Sequence, residues 1–518
     1  MDSRTHRAQR GFGRSERSLA KLAEDLTRFL TKAQRSLTYD TLHLSGRQRE
    51  TLASLLVEFA EDLSQDIGIW RSLEAYNRGF FGTPLPCIFQ PDEAMDTEPI
   101  TPERMQFLLW TLYAELEPGL ILAPTHQDLE RLARWVAEFL SPRVARMRYD
   151  SGVKTFLTTP NPYGWDVKQK LVWMGQHSYL FRLYWAQYIH NHGGTAAIPT
   201  LDDFLCQETT HWSGLGVIDI LAATLDMTDD QRCDLRSWYE RHTAYFRVVS
   251  RRKPFMEVVN LLNEQPYTIH MGTIDTPFQV DDVVFGSLVP WDGAWYWSGV
   301  QHRYTNVTAA DIQHITQGFY QQAPQIVYRY CEQLAEKARA VTHRDYQEFV
   351  DYYGTDFVVY PDGYTMAAAM QKFYEKRFAS APKDVVDAFV KKHHLAKPSP
   401  KASYPPELLE STNGIGVYFY PDEGIEIMKE CDAVISGFKK KGRDCTDEEW
   451  ESIKGVMQSQ AISPQFMRKL MQNYGDASLA STFFIRETAD KVYVEYLLRR
   501  YKGPFYRKRY PTLVLVES

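Results

Sequence analysis

A change in the spacing of apolar residues limits most strongly what this chain can fold into. From about Ser18 to Arg241 they recur at three- and four-residue steps, as in "LAKLAEDLTRFL" and "LASLLVEFAEDL", the period of a helix that buries one face. From about Ala244 the rhythm becomes short runs rich in β-branched and aromatic residues: "YFRVVSRRK", "FMEVVNLLN", "YTIHMG", "VVFGSLVP" and "AWYWSGVQHRY". Lys253-Pro254, Gln265-Pro266, Thr276-Pro277 and Asp292-Gly293 punctuate them. Asp292-Gly293 between strand-like flanks is a hairpin signal, because a type I′ turn needs positive φ at both central residues. The five runs predict a small antiparallel β-barrel at about 242–306.

Helical spacing returns at about Ala309, and 518 residues exceed what one core holds, since single cores stop growing at roughly 250–300 residues. The expected fold is mainly α and multi-domain, with the barrel inserted and a smaller C-terminal α-rich domain. Its parts are a basic arm (1–17), an N-terminal helical domain (18–241), the barrel (242–306), a helical segment packing back on the N-terminal domain (307–390), a Pro- and Lys-rich linker (391–407) and the C-terminal domain (408–518). Helix starts are expected at Thr101-Pro102 and at Thr228, whose Gln231 completes a capping box. One aromatic helix is expected from Asp166 to about Ile189, closed by Gly193 and Gly194. Tyr360-Pro361-Asp362 recurs as Tyr420-Pro421-Asp422, each between an aromatic strand and an expected helix: an internal duplication or two independent corners.

No apolar run approaches the roughly 18–20 uninterrupted residues of a membrane span; Glu115 and Glu117 break the longest. The segment Met1–Arg17 is basic without an apolar core, which reads as a solvated arm and not an export signal. Six cysteines, with neither a CxxC pair nor tight zinc-ligand spacing, read as thiols in a reducing cytoplasm. A net charge of −7 argues against a surface covered in positive potential, although Arg4, Arg7, Arg10, Arg14 and Arg17 make the start of the chain locally basic.

The segments "PFQVDDVVFGSLVPWDGAWYWSG", "DEGIEIMKECDAVISGFKKKG" and "ISPQFMRKLMQNYGDASLASTFFI" together resemble a bacterial family of uncharacterised proteins. The resemblance implies a bacterial cytosolic protein. It brings no reaction and no catalytic residue.

Three groups of residues carry candidate chemistry. Glu208-Thr-Thr-His211, with His190 and His192 upstream, has a spacing that would place carboxylate and imidazole on one helix face as a site for a divalent metal; the competing reading is a hydrogen-bonded His211 and a solvated His190. Trp291, Trp295, Tyr296, Trp297 and Arg303 could form a ligand-binding stacking surface, against the reading that Trp295 and Trp297 fill the barrel while Tyr296 faces away. Arg499, Arg500, Lys502, Arg507, Lys508 and Arg509, interleaved with Tyr501, Phe505 and Tyr506, could contact nucleic acid or dock on the protein itself. His126 with Asp128 reads as a helix start capped by Thr125, and His177 as a core histidine. Nucleotide-loop, GxSxG and HExxH motifs do not occur; "GFKKKGR" lacks the required Gly-Lys-Ser/Thr end.

The expectation is therefore a non-catalytic cytoplasmic binding or interaction protein, with protein or nucleic acid as partner and no membrane, and with no cofactor predicted. The alternative is a metal-dependent enzyme using His190, His192, Glu208 and His211.

Overall fold

A computed structural model of the chain describes residues 14–38, 42–89, 98–117, 122–147, 151–272, 277–322, 328–380, 402–440, 444–475 and 491–511. They form nineteen α-helices and eight strands in two sheets. No helix among them is long and apolar enough to cross a membrane. Arg4, Arg7, Arg10 and residues 391–401 of the expected linker lie outside the described residues, whereas Arg14–Arg17 belong to the first helix.

In chain order the elements are α1 (Arg14–Ala33), α2 (Gly46–Gln65), α3 (Ile69–Phe81), α4 (Pro102–Leu116), α5 (Gln127–Val144), α6 (Gly152–Leu157), α7 (Gly164–His177), α8 (Arg182–Asn191), α9 (Ile198–Gln207), α10 (Val217–Thr224) and α11 (Asp229–Ser237). Then come β1 (His242–Arg252), β2 (Phe255–Asn260), β3 (Pro266–His270), β4 (Val283–Trp291), β5 (Ala294–Tyr304) and α12 (Ala309–Gln322). The remainder comprises α13 (Glu332–Tyr353), β6 (Phe357–Tyr360), α14 (Gly363–Ser380), α15 (Pro406–Leu409), β7 (Ile415–Tyr420), β8 (Gly424–Met428), α16 (Cys431–Lys439), α17 (Asp447–Gln458), α18 (Pro464–Tyr474) and α19 (Lys491–Lys502). Two compact units result: one holds residues up to Thr316 plus Asp490–Tyr506, so α19 rejoins the N-terminal helices; the other holds most of 317–518. Residues 317–380 group with the C-terminal elements.

Local chemistry sets the helix boundaries. Thr101 accepts from the Arg104 amide with Pro102 opening α4, and Thr228 with Gln231 forms the reciprocal cap of α11. The cap of α5 is His126, not Thr125: its Nδ1 accepts the Asp128 amide at 3.2 Å. The single helix expected over 166–189 is two helices, α7 and α8. Ser178 is extended between them, and buried Tyr179 donates to Asp62 Oδ2 at 2.7 Å. Asp62 also accepts the amides of Gly68, Ile69 and Trp70, tying the end of α2 to the start of α3. Around this junction Trp70, Phe107, Trp212 and Tyr496 are fully buried, their rings in edge or tilted contact.

The first sheet pairs β1–β2, β2–β3, β3–β5, β5–β4 and β4–β1, so every strand has two neighbours. It departs from the antiparallel expectation at one seam, where β3 and β5 run parallel through Ile269 and Trp295. The order explains this: β5 inserts between β3 and β4, and its polarity is dictated by its hairpin with β4. Asp292 and Gly293 both take positive φ, 51° and 77°, at that hairpin. Within the ring Phe246, Val248, Met256, Val258, Tyr267, Ile269 and Leu288 are buried.

The second unit carries the antiparallel sheet β6–β7–β8 over a core of Phe349, Met366, Met370, Phe373, Ile415 and Val417. The two Tyr-Pro-Asp corners differ. Tyr360-Pro361-Asp362 leads into helix α14, but Tyr420-Pro421-Asp422 turns back into strand β8.

In that unit Glu449 is the N3 residue of α17. It accepts from Lys440 Nζ at 2.8 Å, Ser436 Oγ at 2.5 Å and the Thr446 amide at 2.8 Å. The Lys440 contact first, then the Ser436 hydrogen bond, hold its carboxyl at about 2 against an ordinary 4.5. A depressed folded-state value stabilises the fold above the unfolded pKa, and that contribution is lost as pH falls through about 2. Thermal unfolding of this unit should therefore show an acid-labile component between pH 4.5 and 2 that Glu449→Gln diminishes. Glu449→Ala, which also removes the N3 half of the capping box with Thr446, should cost about 1 kcal/mol at neutral pH by denaturant titration.

Candidate nucleic-acid interface

Strand alternation divides the aromatic run of β5. Trp295 meets Tyr267 edge-on at 4.8 Å, and Trp297 lies 5.8 Å from Phe246 and 6.1 Å from Phe278, so both indoles turn inward. Trp291 is fully buried and donates to the Asn161 carbonyl at 3.1 Å. Arg303 is held by Asp282 at 2.7 Å. Tyr296 faces outward from the sheet, onto the start of α7.

There it joins residues that the sequence reading did not single out. Tyr163 and Trp165, on either side of Gly164, stack at 4.6 Å. His270, ending β3, lies 5.5 Å from each of those rings, stacks on Tyr296 at 5.6 Å and meets Phe255 of β2 at 5.2 Å. Phe255 and His270 are register partners across β2–β3. Tyr163, Trp165 and Phe255 are 41%, 38% and 40% exposed, so the cluster is an open aromatic surface with Tyr296 as its buried floor. Burial raises the Tyr296 phenol above its usual value, keeping it neutral. Gly272 donates its amide to His270 Nδ1 at 3.2 Å, which places the neutral ring's proton on Nε2.

Positive charge borders the rings. Arg247, Arg251, Arg252 and Lys253 fall within seven residues of β1 and its turn, and Arg252, Lys253, Pro254 and Phe255 are all exposed. Arg252 pairs with Phe255 across the hairpin. Carboxylates border the rings too: Glu257 accepts from Ser250 Oγ at 2.7 Å, and Asp166 accepts the Tyr163 amide at 3.1 Å.

A buried carboxylate holds the two halves of this surface together. Asp202 of α9 accepts Lys168 Nζ of α7 at 2.5 Å and Ser298 Oγ of β5 at 3.1 Å, with Arg241 at 3.7 Å. Lys168 also donates to Ser298 Oγ at 3.2 Å. Trp238 donates to the Pro290 carbonyl at 2.7 Å, and Asp234 of α11 accepts the Asp292 amide at 2.7 Å. A Cβ on Gly164 would lie 2.8 Å from the Tyr296 ring, so only glycine lets α7 approach this closely.

The other candidate groups are placed differently. The final cations pack on the protein: Arg499 lies over Phe80 at 3.6 Å and Tyr506 at 4.1 Å, Arg500 is buried over Trp110 at 4.8 Å, and Lys502 is fully buried. Arg509 pairs with Glu423 at 2.6 Å, Lys508 approaches Glu332 at 3.9 Å, and Arg507 is half-buried. Helix α9 ends at Gln207, so Glu208 and His211 do not share a helix face. His211 bonds Glu115 Oε1 at 2.5 Å, His192 stacks on Tyr188 at 4.0 Å, and His190 is exposed near the end of α8. Among the described residues no three His, Cys, Asp or Glu side chains gather as metal ligands would. Comparison with family models, curated proteins and solved structures finds no match to this chain.

Two substitutions test the junction. Asp202→Asn should lower stability by roughly 2–4 kcal/mol, measured by denaturant unfolding, because Lys168 and Arg241 lose a buried counter-charge. Gly164→Ala should alter the near-ultraviolet circular dichroism of the aromatic cluster while leaving the far-ultraviolet helix signal unchanged.

Proposed function

We propose that this chain is a binding protein that takes single-stranded nucleic acid on Tyr163, Trp165, Phe255 and His270. The observation that carries the reading is the coincidence of an exposed, mutually supported ring cluster with the cationic turn Arg251-Arg252-Lys253. Ring faces stack on bases of any sequence, and neighbouring cations neutralise phosphates.

The surface suits a single strand better than a duplex. Duplex bases present only their edges in the grooves, whereas this face offers flat rings. The strand order 1-2-3-5-4, returning to 1, with β3 and β5 parallel, supports reading the sheet as a small barrel of the kind that binds oligonucleotides on its β2–β3 side. That support is an analogy of connectivity. The absence of disulfides among the six cysteines supports a reducing, cytoplasmic setting.

Fluorescence anisotropy with a labelled oligothymidylate tests the reading. Affinity should fall steeply with salt, and Trp165→Ala and His270→Ala should each weaken binding by roughly 1–3 kcal/mol per base lost from the stack, with thermal unfolding little changed. Absence of binding at low salt, or affinity indifferent to both substitutions, would contradict it.

A further inference from the structure

The outer face of the same sheet holds a second ring cluster, away from α7. Tyr245 of β1, Phe285 of β4 and His302 of β5 form one cross-strand row: Tyr245 pairs with Phe285, and Phe285 with His302. Their rings lie 4.8 and 6.5 Å apart, and Tyr304 closes on Tyr245 at 5.8 Å. Tyr304 is 43% exposed and His302 is exposed, while Tyr245 and Phe285 are half-buried behind them. A hydroxyl–ring cluster of this kind needs no exposure to stabilise the sheet; two of its four rings nevertheless face solvent.

The strand between the two clusters is β1. From Tyr245 to Arg252 it runs seven residues, at most about 23 Å at the rise of a regular strand. Alternation places Arg247 on the outer face with Tyr245, in contrast to the buried Ala244, Phe246 and Val248, and a register shift between Val248 and Ser250 brings Arg252 to the face of its partner Phe255. Arg247 is exposed beside the second cluster, and Arg252 and Lys253 are exposed beside the first. The order along the face is thus rings, cation, apolar and polar strand, cations, rings.

We propose that a single strand of nucleic acid crosses β1 and stacks at both ends, on Tyr304 and His302 at one and on Trp165, His270 and Phe255 at the other, with Arg247, Arg252 and Lys253 meeting the phosphates between. This rests on the nucleic-acid reading above and extends it to a two-ended track. Such a track belongs within the roughly 4–16-nucleotide footprint of small single-strand-binding modules. Carboxylates flank the middle of β1 on both sides: Glu257, held by Ser250, on the β2 side, and Asp281 and Asp282, joined to Val248 through the backbone, on the other, Asp282 being paired with Arg303.

The test is a length series of labelled oligothymidylates, from three to fifteen nucleotides, against the whole chain and its His302→Ala/Tyr304→Ala variant. These two side chains are exposed, so the fold is retained, and unfolding curves verify it. Affinity should rise with length until both clusters are filled. The double variant should lose about five-fold or more on the long oligomers and leave the shortest unaffected, and Arg247→Ala should lower the salt slope by about one. Equal losses at every length, or none, would overturn the two-ended track while leaving the first cluster's binding intact. Failure of every oligomer to bind the unsubstituted chain would overturn both readings.

Discussion

Asp202 is the constraint on which the candidate surface depends. Its carboxylate is almost wholly removed from solvent and shared between α7, β5 and the arginine preceding β1. A charge in that position is tolerable only when it is paired and hydrogen-bonded, and the pairing geometry leaves little freedom between the elements that supply the partners. Lys168 lies one helical turn after Gly164, and Ser298 lies two residues after Tyr296 on the same strand face. Fixing Lys168 to Ser298 therefore fixes Gly164 over Tyr296, and with it Tyr163 and Trp165 beside His270.

The rings then have a reason to be where they are. Large apolar side chains left in water forgo the roughly 25 cal/mol per Å² that burial would contribute. This chain buries most of its tryptophans, including Trp70, Trp212, Trp238 and Trp291, yet presents Trp165 beside Tyr163 and Phe255 at the rim of the sheet. Contacts among the rings recover part of the loss and hold each in one orientation, so a ligand would meet a surface that needs little ordering. The flanking cations lie on one short hairpin, which concentrates positive potential on a molecule whose net charge is −7.

Much of the architecture was legible from spacing alone. The switch at about Ala244 locates the sheet, and Asp292-Gly293 forms the hairpin its composition demands. The inward turn of Trp295 and Trp297 follows from the two-residue period. What the sequence could not disclose was tertiary. Ser178 breaks the aromatic helix because Tyr179 is drawn into the Asp62 junction, and the parallel β3–β5 seam arises from strand order, to which periodicity is blind. The stacking surface joins residues about a hundred positions apart, Tyr163 and Trp165 with Phe255 and His270. A helix was expected from Asp166, but nothing local says that the rings just before it meet a strand end. Glu208 and His211 illustrate the opposite error, in which spacing suggested a shared helix face and the helix stopped one residue short of it.

Photo-cross-linking tests the central claim most directly. A single-stranded oligonucleotide carrying photoreactive bases, irradiated with the whole chain and mapped by peptide mass spectrometry, should attach to the peptides containing Trp165, Phe255 and His270. Adducts confined to other regions, such as the α19 segment with its packed arginines, or no adducts under conditions where a known single-strand binder is labelled, would contradict the account.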